Sequence, residues 1–182
     1  MRSHPPSHHS TEPKNLDGLF RAALENGWRY GLILGSVWVA YNLINNLGNL
    51  NATGYHLLNT SLLPILIALY GLVGLRQSYK TGRITNGTVA AIGASLISSL
   101  IAITALWIIT YVFIDTIRHN PFMLEDFRRS GALSMDTFIF DDNLVPTFVG
   151  PFLSLVLGAT VGTLGGMIGK WLRAGLRLSQ TG

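Results

Sequence analysis

Three long stretches without a charged side chain constrain this chain more than any other feature. No Lys, Arg, Asp or Glu lies between Arg29 and Arg76, between Arg83 and Asp115, or between Asp142 and Lys170. A helix crossing the hydrocarbon of a bilayer needs roughly 20 predominantly apolar residues. The second and third stretches each accommodate one such helix, and the first accommodates two. The whole chain of 182 residues is only 12% charged, whereas soluble domains carry about 25%. With a mean hydropathy of +0.38, most of it is expected to face something other than water.

The predicted fold class is therefore all-α: an integral membrane four-helix bundle with an amphipathic outer loop. Residues 16–178 read as a single domain, with spans at about 28–47, 57–75, 88–113 and 145–171. Residues 1–15 are polar and Pro-rich and lack the basic-then-apolar pattern of a signal peptide, so they read as a disordered tail; His4, His8 and His9 belong to it. From Leu16, apolar residues at Leu19, Phe20, Ala23 and Leu24 have helical spacing and predict an interfacial approach to the first span. Asn45, Asn46, Gly48, Asn49, Asn51 and Gly54 mark the turn after it. Pro64 lies inside the second span, and Pro146 and Pro151 fall in the first turns of the fourth.

The segment 114–144 is expected to form the outer loop. Within it Asn120 reads as an N-cap, Pro121 as a first-turn residue and Gly131 as a stop, framing a short amphipathic helix. Its apolar face is expected on the membrane surface or on the ends of the bundle, and residues 135–140 are expected to lie there as well.

Basic residues set the orientation. Arg2, Lys14, Arg21, Arg29, Arg76, Lys80, Arg83, Lys170, Arg173 and Arg177 all fall on one side of the four predicted spans. The other side holds only Arg118, Arg128 and Arg129, against Asp115, Glu125, Asp126, Asp136, Asp141 and Asp142. Cytoplasmic loops are enriched in Lys and Arg, so both termini are expected in the cytoplasm and the acidic loop outside. The net charge of +4 and the pI near 9.7 follow from this flanking pattern and call for no nucleic acid. The expected partners are the lipid bilayer and other membrane subunits or a second copy.

Lipid tails are as apolar as leucine, so close approach of small residues has to drive helix association in a bilayer. Gly27, Gly31 and Gly35 repeat at four-residue spacing in the first span; Ala90, Ala94, Ser98 and Ala102 do so in the third, beside Ala91, Ser95 and Ser99. Gly150, Ser154, Gly158, Gly162 and Gly166 form an unbroken row in the fourth, with Gly165 and Gly169 next to it. These are the candidate helix-packing residues.

Chemistry-bearing motifs are sparse. Cysteine is absent, which removes disulfides and thiolate sites. No acid or base lies deep in a span, where proton-coupled transporters and ion pathways usually need one. His56 and His119 are isolated, Asp141 and Asp142 are adjacent and point differently, and Asn51-Ala-Thr53 matches a glycosylation sequon. No catalytic, cofactor or metal residue is predicted. Asn42 and Asn46 share one face of the first helix; they read either as a polar path or as hydrogen-bond partners of the second helix.

Several segments resemble a bacterial membrane-protein family, domain of unknown function 4199: Tyr30-Gly31-Leu32-Ile33-Leu34-Gly35, Gly71 to Arg76, Gly82-Arg83-Ile84-Thr85-Asn86-Gly87, Leu96 to Leu100, Tyr111 to Asp115, and the glycine-rich last helix. The resemblance covers about residues 29–171. It departs where Thr116 follows Asp115 in place of the family's proline, and the loop lacks the family's long Glu/Lys/Gln helix. It implies a four-helix membrane fold in a bacterial inner membrane and brings no activity or site residues. The functional expectation is a non-enzymatic accessory or scaffold subunit; the alternative is a small transporter or channel with a polar path near Asn42 and Asn46.

Overall fold

The computed structural model describes the backbone of residues 16–48 and 50–179 and the side chains of 25–48 and 50–176. The tail over 1–15, its three histidines, and Asn49 lie outside the described residues, as do the side chains from Leu16 to Leu24. All described elements are helices: α1 (Leu16–Leu47), α2 (Ala52–Thr81), α3 (Ile84–Val112), the short α4 (Ile114–Arg118) and α5 (Pro121–Ser130), and α6 (Met135–Ser179). Among the described residues, α2, α3 and α6 are long and apolar enough to cross a membrane. Helix α1 is as long as α2 but falls short in apolarity, because Asn42, Asn45 and Asn46 crowd its last turns.

Local chemistry explains the helix ends. The Asn51 side chain accepts from the Gly54 amide at 2.8 Å and caps α2, which stops at Gly82 in the left-handed conformation (φ 74°). Asn120 caps α5 by accepting from Phe122 at 3.0 Å, Pro121 occupies the first turn, and Gly131 (φ 71°) ends it. Ser134 Oγ accepts from the Thr137 amide at 3.2 Å and opens α6.

Three boundaries differ from the sequence expectation. The approach over 16–27 and the first span are one continuous helix. Asn45 and Asn46 stay helical, because Asn46 Nδ2 donates back to the Asn42 carbonyl at 2.9 Å and the Tyr55 hydroxyl donates to the freed Asn45 carbonyl at 2.9 Å. The segment 135–140 is the beginning of α6 and not a separate surface piece. The Ser134 cap starts the helix there, and a two-pronged Arg118–Asp136 pair, 2.7 Å at both contacts, anchors its first turn to α4. Pro146 and Pro151 consequently sit well inside a 45-residue helix, where they remove the backbone donors that would reach the Asp142 and Thr147 carbonyls.

Helix α3 is central. It packs along α1, α6 and α2; α2 runs along α6, and α1 meets α2 only lightly. The contacts are close because side chains are missing. A Cβ on Gly74 would collide with the Gly162 carbonyl, one on Gly165 with the Gly71 carbonyl, and one on Gly169 with the Leu75 carbonyl. Gly27 lies against the backbone of Ala90, Gly93 and Ala94, and Gly31 and Gly35 against Ile97 and Ile101. Tyr70, fully buried, crosses from α2 to Ser98 on α3 with oxygens 3.3 Å apart. At the end remote from α5, Gln77 donates to Asn26 at 3.0 Å and Arg173 donates to the Lys80 carbonyl at 2.8 Å, fastening α1 and α6 to α2.

The end that carries α5 is closed differently. Ile109, Ile117 and Ile139 form a small core with Met123 and Leu47 against it. Phe122 packs on Tyr55 with ring centroids 4.0 Å apart, and Phe127 on Phe138 at 5.9 Å. The apolar face of α5 thus covers helix ends, one of the two positions expected for it.

Substituting Gly74 or Gly165 by Ala should destabilise the protein by about 1–3 kcal/mol, the usual cost of overpacking. Gly150→Ala, where a Cβ would meet nothing within 4 Å, should be neutral or stabilise by about 0.5–1 kcal/mol through helix propensity. Thermal unfolding of the purified protein in mild detergent checks both, and equal effects at the three positions would contradict the packing described.

Candidate functional site

Two helices that both pack on α3 do not close on each other along their whole length. Between α1 and α6, toward the α5 end, lies a cavity of about 290 Å³. From α1 it is lined by Trp38, Tyr41, Asn42, Asn45 and Asn46; from α3 by Ser99, Ala102, Ile103 and Leu106. Helix α6 contributes Asp142, Asn143, Pro146, Gly150, Pro151 and Ser154, while Leu62 of α2 and Met123 of α5 complete it.

The cavity has an origin in the packing rows. Along α6, Gly158 rests on Ala91 and Ser95, Gly162 on Ala91, and Gly166 on Ser78 and Ile84. One step earlier Ser154 is buried. One step earlier still, Gly150 touches nothing and faces the void. The row that draws the helices together therefore ends where they part, next to the two interior prolines. On α1 the same change occurs: Gly27, Gly31 and Gly35 are buried against α3, and the next turns present Trp38, Asn42 and Asn46 to the cavity. On α3, Ala90, Ala94 and Ser98 are fully buried in the packed part. Gly27, Gly31, Gly35, Gly158, Gly162 and Gly166 lie close against neighbouring helices and Ala90, Ala94 and Ser98 are buried, whereas Ser99, Ala102, Gly150 and Ser154 line the cavity.

Polar groups in the cavity are incompletely satisfied. Two buried side-chain atoms have no hydrogen-bond partner, Trp38 Nε1 and Ser99 Oγ, and both residues line it. Ser99 is only 7% exposed. Asn42 is 8% exposed, and among the described residues its carboxamide has no partner; only its backbone carbonyl is engaged, by Asn46. The expected hydrogen bonds from Asn42 and Asn46 to the second helix are not made. Tyr41 makes the side-chain link instead, donating to Asn59 at 2.7 Å, while Tyr55 reaches the α1 backbone. An unpaired buried polar group costs about 1–3 kcal/mol, and the Trp38 and Ser99 atoms both belong to residues that border the same cavity.

On the opposite wall a hydrogen-bond chain joins α6 to α3. Asn143, 5% exposed, donates to Thr110 at 2.8 Å; Thr147 donates to the Asn143 carbonyl at 2.6 Å; and Trp107 Nε1 donates to Thr147 at 3.1 Å. Below the cavity the Tyr70 hydroxyl contacts Ser98 and Ser154 and closes the floor.

Charge at the mouth is one-signed. Asp142 lines the cavity and has no cationic partner among the described residues, and the Asp126 carboxylate is close enough to repel it. Arg118 and Arg129 are engaged elsewhere. Arg118 pairs with Asp136 and Asp115, and these two carboxylates hold its guanidinium above its ordinary pKa. Arg129 pairs with Glu125. His56 and His119 are exposed and apart from the cavity, the His119 ring lying 2.6 Å from the Asp115 carbonyl. No three His, Asp or Glu among the described residues are grouped to hold a metal.

Trp38 and Asn143 were not singled out by sequence reasoning; Ser99 was named only beside a packing row, and Asp142 as a loop acid beside Asp141. A signal for Asp142 did exist: the four-residue row of α6, extended upstream from Gly150, passes through Pro146 and reaches Asp142.

Removing a bonded partner should cost more than removing an unpartnered one. Thr110→Val strips the Asn143 amide of its acceptor and should lower stability by about 1–3 kcal/mol; Ser99→Ala should cost less than about 0.5 kcal/mol. Chemical or thermal unfolding of the two variants side by side measures the difference.

No family model, no curated protein and no solved structure matches this chain.

Proposed function

We propose that this chain is a four-span protein of a bacterial inner membrane, with both termini in the cytoplasm, whose outward-facing cavity binds a small solute. The observation that carries the reading is the cavity itself: unpartnered polar atoms of Trp38, Asn42 and Ser99 converge on one space between otherwise apolar helices. Polar groups within membrane helices are costly and tend to mark substrate sites.

Three apolar helices support membrane insertion. Helix α1, though more polar, lies along α3 for much of its length, so it would share the depth of α3 in the bilayer. Its asparagines face the cavity, where polarity carries no lipid-exposure cost. The distribution of basic residues supports the orientation. The kinship with domain of unknown function 4199 belongs to the same proposal and rests on the motifs from Tyr30 to Gly35 and Gly82 to Gly87.

The cavity favours the transporter-like alternative over an accessory subunit. An accessory role drew its motive from small-residue faces free to meet a partner, but those rows are occupied within the chain. The tight contacts from Gly158 to Gly169 close the cytoplasmic half in this arrangement. The protein would thus be open on the outside only, as a solute receptor or as the outward-facing state of a carrier.

Because the chain contains no cysteine, single introduced cysteines report cleanly. Glu125→Cys should react with a membrane-impermeant maleimide in intact cells, and Lys80→Cys only after permeabilisation; labelling of both from one side would overturn the topology. Asn42→Cys should react with a small water-soluble methanethiosulfonate from outside, whereas Ala94→Cys, fully buried, should not. Equal inertness of the two would remove the solute-binding reading.

A further inference from the structure

The charge and ring chemistry of the cavity narrow what it can hold. Its lining includes one ionisable acid, Asp142, and no Lys or Arg. Asp126 reinforces the negative potential at the mouth. An anionic solute would find a like charge at the entrance and no compensating base inside. A neutral solute would leave the Asp142 carboxylate without a cationic partner.

Deeper in, Trp38 and Tyr41 stand edge to face, with centroids 5.7 Å apart and planes at 90°. Both residues border the cavity, and aromatic rings attract cations to their π-faces. Asn42 and Ser99 add oxygen acceptors without partners. Leu62, Ile103, Leu106 and Met123 add an apolar part of the wall, which suits a compact hydrocarbon body. The volume of about 290 Å³ is at the small end of ligand sites.

From this we infer that the ligand is an organic monocation: an ammonium group on a small, largely apolar body that also carries an oxygen acceptor for the Trp38 indole N–H, entering past Asp142 and resting against Trp38 and Tyr41. The inference rests on the solute-binding reading above and adds the sign and class of the solute.

Three probes on one skeleton test it: benzylammonium, benzyl alcohol and benzoate, titrated onto the purified full chain and followed calorimetrically. Benzylammonium should bind about tenfold more tightly than benzyl alcohol, the scale of one charge-assisted contact, and benzoate should not bind. Asp142 is exposed on α6, so Asp142→Asn should fold normally and remove most of the preference for benzylammonium over benzyl alcohol. Trp38→Leu should weaken benzylammonium more than benzyl alcohol. If benzyl alcohol binds as well as benzylammonium, or the preference is undiminished in Asp142→Asn, the cation inference fails while the binding cavity stands. If no probe binds at millimolar concentration, both fall.

Discussion

Contact between backbones, with no side chain between them, is the interaction on which the architecture depends. Between apolar helices in an apolar solvent, burial of hydrocarbon gives little net attraction, and van der Waals contact over short distances has to supply it. The carbonyls of Gly71, Leu75 and Gly162 sit where a methyl group on the facing glycine would be. Bringing α2, α3 and α6 this close also places Tyr70 and Ser98 in mutual reach and brings the Arg173 guanidinium to the end of α2. The hydrogen bonds of the interior are thus consequences of the close approach and add direction to it.

The cavity is the complement of the same device. Small residues continue at Gly150 and Ala102, but the neighbouring helices have separated and nothing fills the space. Where close packing ends, polar side chains replace glycine on α1, and prolines interrupt α6. A network on the α6 side, from Asn143 through Thr110 and Thr147 to Trp107, keeps that wall rigid while the α1 side retains unfilled hydrogen-bonding capacity. Binding sites in proteins commonly combine a stiff frame with a few unsatisfied groups.

How much of this was legible in the sequence depends on the range of the interaction. Charge-free stretches and end caps are local, and they predicted the long helices and α5 with its Asn120 and Gly131 ends. The packing rows were visible as spacing, because a four-residue repeat of small side chains has one structural use. The ten residues of α6 upstream of the expected span, from Met135 to Leu144, were not visible as part of it, since Pro146 reads locally as a first-turn residue and the Arg118–Asp136 anchor is tertiary. The low hydropathy of α1 was likewise hidden inside a charge-free stretch, because asparagine carries no charge. The cavity lies furthest from local rules. It forms from residues up to 116 positions apart, Trp38 to Ser154, and depends on where two helices diverge over a third.

Helix α6 has a further consequence. Its 45 residues form a rod about 67 Å long at 1.5 Å per residue, far beyond the thickness of a bilayer. Along it, the 28 steps from Asp142 to Lys170 measure about 42 Å, close to the 40–45 Å of a membrane with its headgroups. In the proposed orientation this helix acts as a ruler. The acid and the lysine sit at opposite headgroup layers and fix how deeply the protein is immersed. A thinner membrane cannot shorten the rod and must be met by tilting it, which would swing the acid end relative to α1 and alter the width of the gap between them.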